Sequence, residues 1–194
     1  PSKSIGVFSS LITSCESFKK VMMLSSTSVF GQKDGSLVSE DEAVPGSFNG
    51  EVLLEAEKSM LASHDNVCVL RLSGIYGPGR TSVLQSVKEG NATYEPGESF
   101  YTNRIHLDDI VGFSVYALEH DLKGTYNVTD SFPSRKNDFL SYLAKISGVS
   151  LETKEISGFK RRTNKRVSNK RMLDSGYKMK YANHTDAYGE MLKK

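Results

Sequence analysis

Two apolar runs that end in small polar residues constrain this sequence more than anything else in it. Lys20-Val21-Met22-Met23-Leu24-Ser25-Ser26 is one, and Asn66 to Leu72, followed by Ser73-Gly74, is the other. Neither run alternates apolar with polar residues. A strand that is apolar on both faces is covered on both faces, which is the condition of a parallel sheet. Between the runs, Glu51 to Ser63 sets Val52, Leu53, Leu54, Ala56, Met60 and Leu61 against Glu55, Glu57 and Lys58, a helical pattern. Strand, helix, strand predicts a parallel α/β unit.

The rest of the chain is read more coarsely. Ile5 to Phe18 spaces Ile5, Phe8, Leu11, Ile12 and Cys15 for one helical face, and residues 31 to 50 form a long loop rich in Gly, Ser, Asp, Glu and Pro. Thr81 to Glu89 is a short helix, Asn103 to Leu107 a strand, and Asp108-Asp109 an N-cap pair for a helix over Ile110 to Glu119. Gly124 to Val128 is a strand and Ser134 to Ser147 a helix. A helix from Ser168 closes at Gly176, and a last one starts at Thr185. Two or three parallel strands fall short of the usual five or six of a doubly wound sheet, so the sequence reads as part of something larger.

Composition excludes several classes. With 38% hydrophobic and 25% charged residues, the chain is an ordinary globular one. No stretch approaches the ~18 apolar residues of a membrane span, and no secretory leader is expected. Cys15 and Cys68 lack partners at metal or disulfide spacing, which points to a reducing, cytoplasmic setting. Net charge is +2, yet residues 160–171 carry seven Lys or Arg in twelve positions. That run is read as a solvated face, with phosphate contact and nucleic-acid binding as alternatives. Asp108 and Asp109 have no third ligand spaced with them, so no metal site is expected.

Four segments then occur in a telling order. They are Val21-Met22-Met23-Leu24-Ser25-Ser26-Thr27-Ser28-Val29-Phe30-Gly31, Leu70-Arg71-Leu72-Ser73-Gly74-Ile75-Tyr76-Gly77-Pro78-Gly79-Arg80, Arg104-Ile105-His106-Leu107-Asp108-Asp109-Ile110 and Gly124-Thr125-Tyr126-Asn127-Val128. Together they resemble the fifth strand, the segment after the sixth strand, the F-I-H-V-D-D-V segment and the G-x-x-Y-N-V strand of the extended short-chain dehydrogenase/reductases, the NAD-dependent epimerase/dehydratase superfamily. Lys165-Arg166-Val167-Ser168-Asn169-Lys170-Arg171-Met172-Leu173 with Gly176-Tyr177 resembles the ending of a subset of them.

The resemblance implies an α/β fold: a partial Rossmann-like parallel sheet with helices, plus a small α/β C-terminal lobe on the substrate side. Residues 1–80 would be the C-terminal part of an NAD(P)-binding domain and 81–194 the substrate-side lobe. It implies a catalytic hydroxyl at Ser26 and cofactor contacts at Leu24, Ser25, Leu72, Gly74 and Ile75. Substrate contacts fall to Thr27, Tyr76, Arg80, Arg104 and His106, with no metal. Tyr76 is also weighed as a substitute acid, and His106 as a structural histidine at a strand–helix junction. A sugar-like or carbonyl small molecule would be the substrate, and NAD or NADP the cofactor.

Three departures qualify that picture. The family's G-x-x-G-x-x-G turn, which seats the pyrophosphate at a helix N-terminus, does not occur in the sequence. The family's Tyr-x-x-x-Lys pair falls at about Asn49 and Leu53, and no Tyr lies between Gly31 and Met60. Thr102 stands where nucleotide-sugar members carry an Arg, which argues against a UDP- or dTDP-sugar. The expectation is therefore an atypical member lacking its dinucleotide-binding half, inactive alone and binding neither cofactor by itself. It should self-associate through a poorly shielded sheet flank at Val21, Met23, Val67 and Val69. The alternative of another class is a non-catalytic NAD(P)-binding or scaffold protein; a nucleic-acid module built on residues 160–171 ranks behind both.

Overall fold

The structure, a computed structural model, describes residues 18–92, 100–151 and 163–192. The expected helix at Ile5 to Phe18 falls, but for Phe18, outside them, as does Cys15. The central sheet has three strands in the order β1 (Val21–Ser26), β3 (Val67–Leu72) and β7 (Gly124–Val128). All are parallel, with Val21 opposite Val67 and Ser26 opposite Leu72, and on the other side Cys68 opposite Gly124 and Leu72 opposite Val128. β3 is buried along its whole length, as its unbroken apolar run requires. The Cys68 thiol is free in this strand, and burial pushes it up to about 11.

Helix α1 (Phe48–Ser63) connects β1 to β3. It starts three residues before the expected Glu51 because Ser47 accepts a hydrogen bond from Gly50 N at 3.2 Å and caps the first turn. The loop before it is not wholly irregular: β2 (Leu37–Val38) and a 3-10 turn at Glu40–Glu42 lie within 31–50. This loop folds back on the end of β1, where Gly31 N donates to Val44 O at 2.7 Å. A Cβ on Gly31 would lie 2.3 Å from the backbone of Gly46, so only glycine allows this closure.

Residues 81–192 build around β4 (Gly74–Tyr76), α2 (Ser82–Lys88), β5 (Tyr101–Thr102), β6 (Arg104–His106), α3 (Leu107–Glu119), β8 (Ser134–Arg135), α4 (Lys136–Ser147), β9 (Arg166–Val167), α5 (Lys170–Asp174) and α6 (His184–Met191). β4 pairs with β6 in parallel and β5 with β8 antiparallel. A second core gathers Leu84, Val87, Phe139, Leu140, Leu143 and Tyr188. The first core spans both parts of the chain, joining Cys68, Leu70 and Leu72 to Phe113, Tyr126 and Met172.

Three expectations are corrected. Asp108-Asp109 do not cap α3: His106 does, its Nδ1 accepting from Asp108 N at 3.1 Å. Asp109 is instead buried and accepts from Tyr177 Oη, Lys180 N and Tyr181 N, so its carboxylate fastens the segment after α5. Within 163–171 the basic run is only partly a solvated face, with Lys170 exposed. Lys165 and Asn169 are buried, Arg166 donates to Gly35 O at 2.9 Å, and Arg171 pairs with Asp41 at 2.8 Å. Finally, Val67 and Val69 are fully shielded and Val21 and Met23 half-shielded; the apolar exposure on this flank sits at Leu24, 58% accessible, on the edge of β1 that pairs with no other strand among the described residues.

Candidate functional site

The carboxyl ends of parallel strands are where open α/β sheets hold ligands. Here the ends of β1 and β3 open into a cleft of about 800 Å³. Its floor is Ser26, Thr27, Leu72, Ser73 and Gly74, and one wall is Ser47, Asn49 and Leu53 from the start of α1. The other wall comes from far along the chain, at Thr163 and Lys165, brought in because β2 pairs with β9 in register Val38 opposite Val167.

The strand end is held rigidly from behind. Ser25 Oγ donates to Glu57 Oε1 at 2.5 Å, and Arg71 donates to the same carboxylate from Nε and Nη2, the latter at 2.7 Å. Arg71 Nη1 also reaches Glu40 O at 2.7 Å, and Glu40 accepts from Asn127 N at 2.8 Å. This buried network ties β1, α1, β3 and β7 together directly beneath the cleft. It leaves Ser26 as the next residue outward. Ser26 Oγ accepts from Ser28 N at 3.1 Å, capping the turn Thr27–Val29, so its hydroxyl hydrogen is left to point at a ligand.

Of the residues implied by the sequence, the cleft unites Ser26, Thr27, Leu72 and Gly74. Ser25 faces the network behind it, Leu24 lies on the sheet edge, and Ile75 packs against the first core. Tyr76 is buried, stacked on Tyr188 at 4.7 Å between ring centroids, with its hydroxyl unpartnered; burial raises its pKa beyond any use as an acid near neutral pH. Arg104 lies with its guanidinium 3.5 Å from the Phe139 ring centroid, desolvated and away from the cleft. His106 lines a separate pocket of about 230 Å³ with Pro78, Thr81 and Lys180, and burial lowers its pKa against the opposing pull of Asp108 and Asp109. Arg80 is exposed in the turn that bridges Gly77.

Asn49 and Leu53, at about which the resemblance puts the family's Tyr and Lys, both line the cleft. Lys165 is what the sequence reading missed. It is 7% accessible, its Nζ donates to Phe30 O at 2.6 Å, and burial pulls it down to about 8. Strand parity is the signal that finds it: Lys165 and Val167 share the inward face, with Arg166 between them turned out.

A Ser–His–Asp constellation lies elsewhere, with His184 Nδ1 3.0 Å from Asp130 Oδ2 and Nε2 3.3 Å from Ser134 Oγ. All three are buried and line none of the cavities described, so the set anchors α6 rather than presenting a nucleophile. Among the described residues no group of three or more His, Cys, Asp or Glu is placed to hold a metal, and no helix is long and apolar enough to cross a membrane.

No family model matches the chain. It is 28% identical over 135 residues to the protein YeeZ of Escherichia coli K12, a match covering 67% of this chain and 47% of YeeZ. Among solved structures it resembles a protein from Methylobacillus flagellatus described as an NAD-dependent epimerase/dehydratase, at 33% identity and a TM-score of 0.78, over 91% of this chain and 64% of that one. The fold is also that of UDP-glucuronic acid 4-epimerase from Bacillus cereus, solved with NAD, at 24% identity and a TM-score of 0.76, over 97% of this chain and 67% of that one. The chain thus matches about half of YeeZ and a third of another curated relative, a 3-diazoavenalumate denitrifying reductase from Streptomyces that is 30% identical over 49% of this chain.

Proposed function

We propose, from the premise that this chain belongs to the NAD-dependent epimerase/dehydratase superfamily, that it forms the substrate-side part of an NAD(P)-dependent reductase or epimerase-like enzyme. The observation that supports this most is the cleft at the carboxyl ends of β1 and β3, floored by Ser26, Thr27, Leu72, Ser73 and Gly74. Small residues at those positions let a nicotinamide ring approach from above. Ser26, oriented by Ser28 N, donates to a substrate carbonyl or hydroxyl oxygen. In the family the pyrophosphate is held by a glycine-rich turn that this sequence does not contain, so the dinucleotide would be completed from outside residues 1–194. When bound it supplies the hydride; the residues here orient the substrate and hold its oxygen.

Asn49 and Leu53 bear on the role of the site, because neither exchanges a proton. A second reading follows from them: a protein that holds NAD(P) and does not turn it over. One experiment separates the two. The chain is produced with a glycine-rich dinucleotide-binding half, and oxidation of NADH and NADPH is followed with small carbonyl compounds. The enzyme reading requires turnover that falls about 100-fold or more in Ser26→Ala, with cofactor affinity unchanged within a few-fold. Cofactor binding with no turnover of any carbonyl compound would favour the second reading.

A further inference from the structure

Lys165 has no carboxylate partner among the described residues: its ammonium donates to Phe30 O at 2.6 Å and lies 3.5 Å from Thr163 Oγ1. Buried ammonium groups are ordinarily paired, because an unpaired one is costly. Lys165 is not shut inside the core, however; it lines the cleft. The described lining residues include a second cation, Lys33, exposed at the rim, and no Asp or Glu. A further observation concerns Ser73. It lines the same cleft, is 6% accessible, and its Oγ has no hydrogen-bond partner. Two buried donors therefore line one space that holds no carboxylate among its described residues, beside the Ser26 strand end.

We propose that this cleft takes a small substrate through a carboxylate group, received by the Lys165 ammonium and the Ser73 hydroxyl while Ser26 holds the neighbouring reactive oxygen. The proposal rests on the strand-end cleft being the substrate site, as argued above. A carboxylate is favoured over a phosphate because one buried cation balances one negative charge. A phosphate ester brings about 1.5 to 2 charges at neutral pH and would leave part of them unmatched. Ser26 stands opposite Leu72, the residue before Ser73, so a 2-oxo or 2-hydroxy acid, with its reactive oxygen next to the carboxylate, is the substrate class proposed. The anion site lies wholly within this chain, so it does not need the dinucleotide to form.

The test is a titration of the chain, labelled with ¹³C-lysine and without cofactor, followed by the ε-methylene resonance of Lys165. The probes are phenylpyruvate, its methyl ester and inorganic phosphate. Phenylpyruvate should shift the resonance with saturation and the ester should not. Lys165→Met and Lys165→Gln should each weaken phenylpyruvate binding about ten- to a hundredfold, the worth of one hydrogen bond to a charged group. Lys170→Met, on the exposed face of α5, should bind as the parent does. Equal binding of acid and ester, tighter binding of phosphate, or unchanged binding in both Lys165 variants would overturn the proposal. The two readings fail separately. Carboxylate binding without turnover in the completed protein sinks the enzyme reading and leaves the anion site standing, whereas turnover of acid and ester at equal rates does the reverse.

Discussion

Replacing Lys165 by Met should make the protein more stable at neutral pH, and the gain should vanish in alkali. Burial pulls Lys165 from the 10.5 of a free lysine down to about 8. At ~1.4 kcal/mol per pH unit, holding the ammonium in place at pH 7 costs about 3 kcal/mol, and about 2 kcal/mol once residual solvent contact is allowed for. The sign follows from proton counting. Between pH 8 and 10.5 the unfolded chain binds the lysine proton and the folded chain does not, so wild-type stability rises with pH across that window. Below about 8 both states are protonated and the cost is constant. Met keeps the volume and removes the charge, but forfeits the bond from the ammonium to Phe30 O, worth about 1.5 kcal/mol for a charged donor. The variant should therefore gain about 0.5 kcal/mol at pH 7, roughly 1–2 °C in melting temperature, and lose that advantage by pH 10.5. Urea denaturation of both proteins at pH 7, 8, 9 and 10 gives the difference directly, and other titrating groups cancel in it. A difference that stays flat from pH 7 to 10 would show that Lys165 is not held as a strained cation, and the anion-site reasoning would lose its physical motive.

Three further outcomes are expected. Glu57→Ala strands Arg71 without its carboxylate and should cost about 3–5 kcal/mol in urea denaturation, while Glu57→Gln, which keeps one acceptor oxygen but turns an NH2 donor toward the remaining donors, should cost less; equal losses would mean that the remaining acceptor contributes nothing. The chain alone should bind NAD(H) and NADP(H) more weakly than micromolar by calorimetry, because a few hydrogen bonds at ~1 kcal/mol each do not offset an association cost of at least ~4 kcal/mol; a micromolar constant for either contradicts this. The open edge of β1, with Leu24 exposed, should drive self-association detectable by light scattering and relieved by Leu24→Glu, and a wild-type monomer at high concentration would refute it.

What the sequence disclosed and what it hid divide along contact range. β1, α1 and β3 are legible because burial on both faces and a helical repeat are local patterns, and Ser26, Thr27, Leu72 and Gly74 follow as strand-end residues. The side chains that left the cleft are those whose direction depends on partners remote in sequence. Tyr76 turns inward to stack on Tyr188, and Arg104 lies over Phe139. His106 is a cap because the turn into α3 needs an acceptor for Asp108 N, and a ring nitrogen one step earlier outcompetes the acidic pair for that place. Lys165 was hidden by its company. In a run of seven cations the bland reading is water on every side, and only the pairing of β9 with β2 and the bond to Phe30 O, 135 residues away, turn it inward.

The treatment of charge elsewhere in the molecule gives that lysine its meaning. Arg71 is matched by Glu57, Asp130 by His184, and Glu40 by Asn127 N with Arg171 3.8 Å away. Asp109 is matched by two backbone amides and a tyrosine hydroxyl. Each of these buried groups is answered within the chain, because a low-dielectric interior makes an unanswered charge expensive. Lys165 departs from that pattern where the interior opens to the strand-end cleft. A structural lysine would gain stability from an acid on β2 or α1, and the chain places Asn49, Ser47 and Leu53 there instead. A cation kept without a carboxylate partner among the described residues, at a cost in stability and lining a cleft, is what a site awaiting an anion requires.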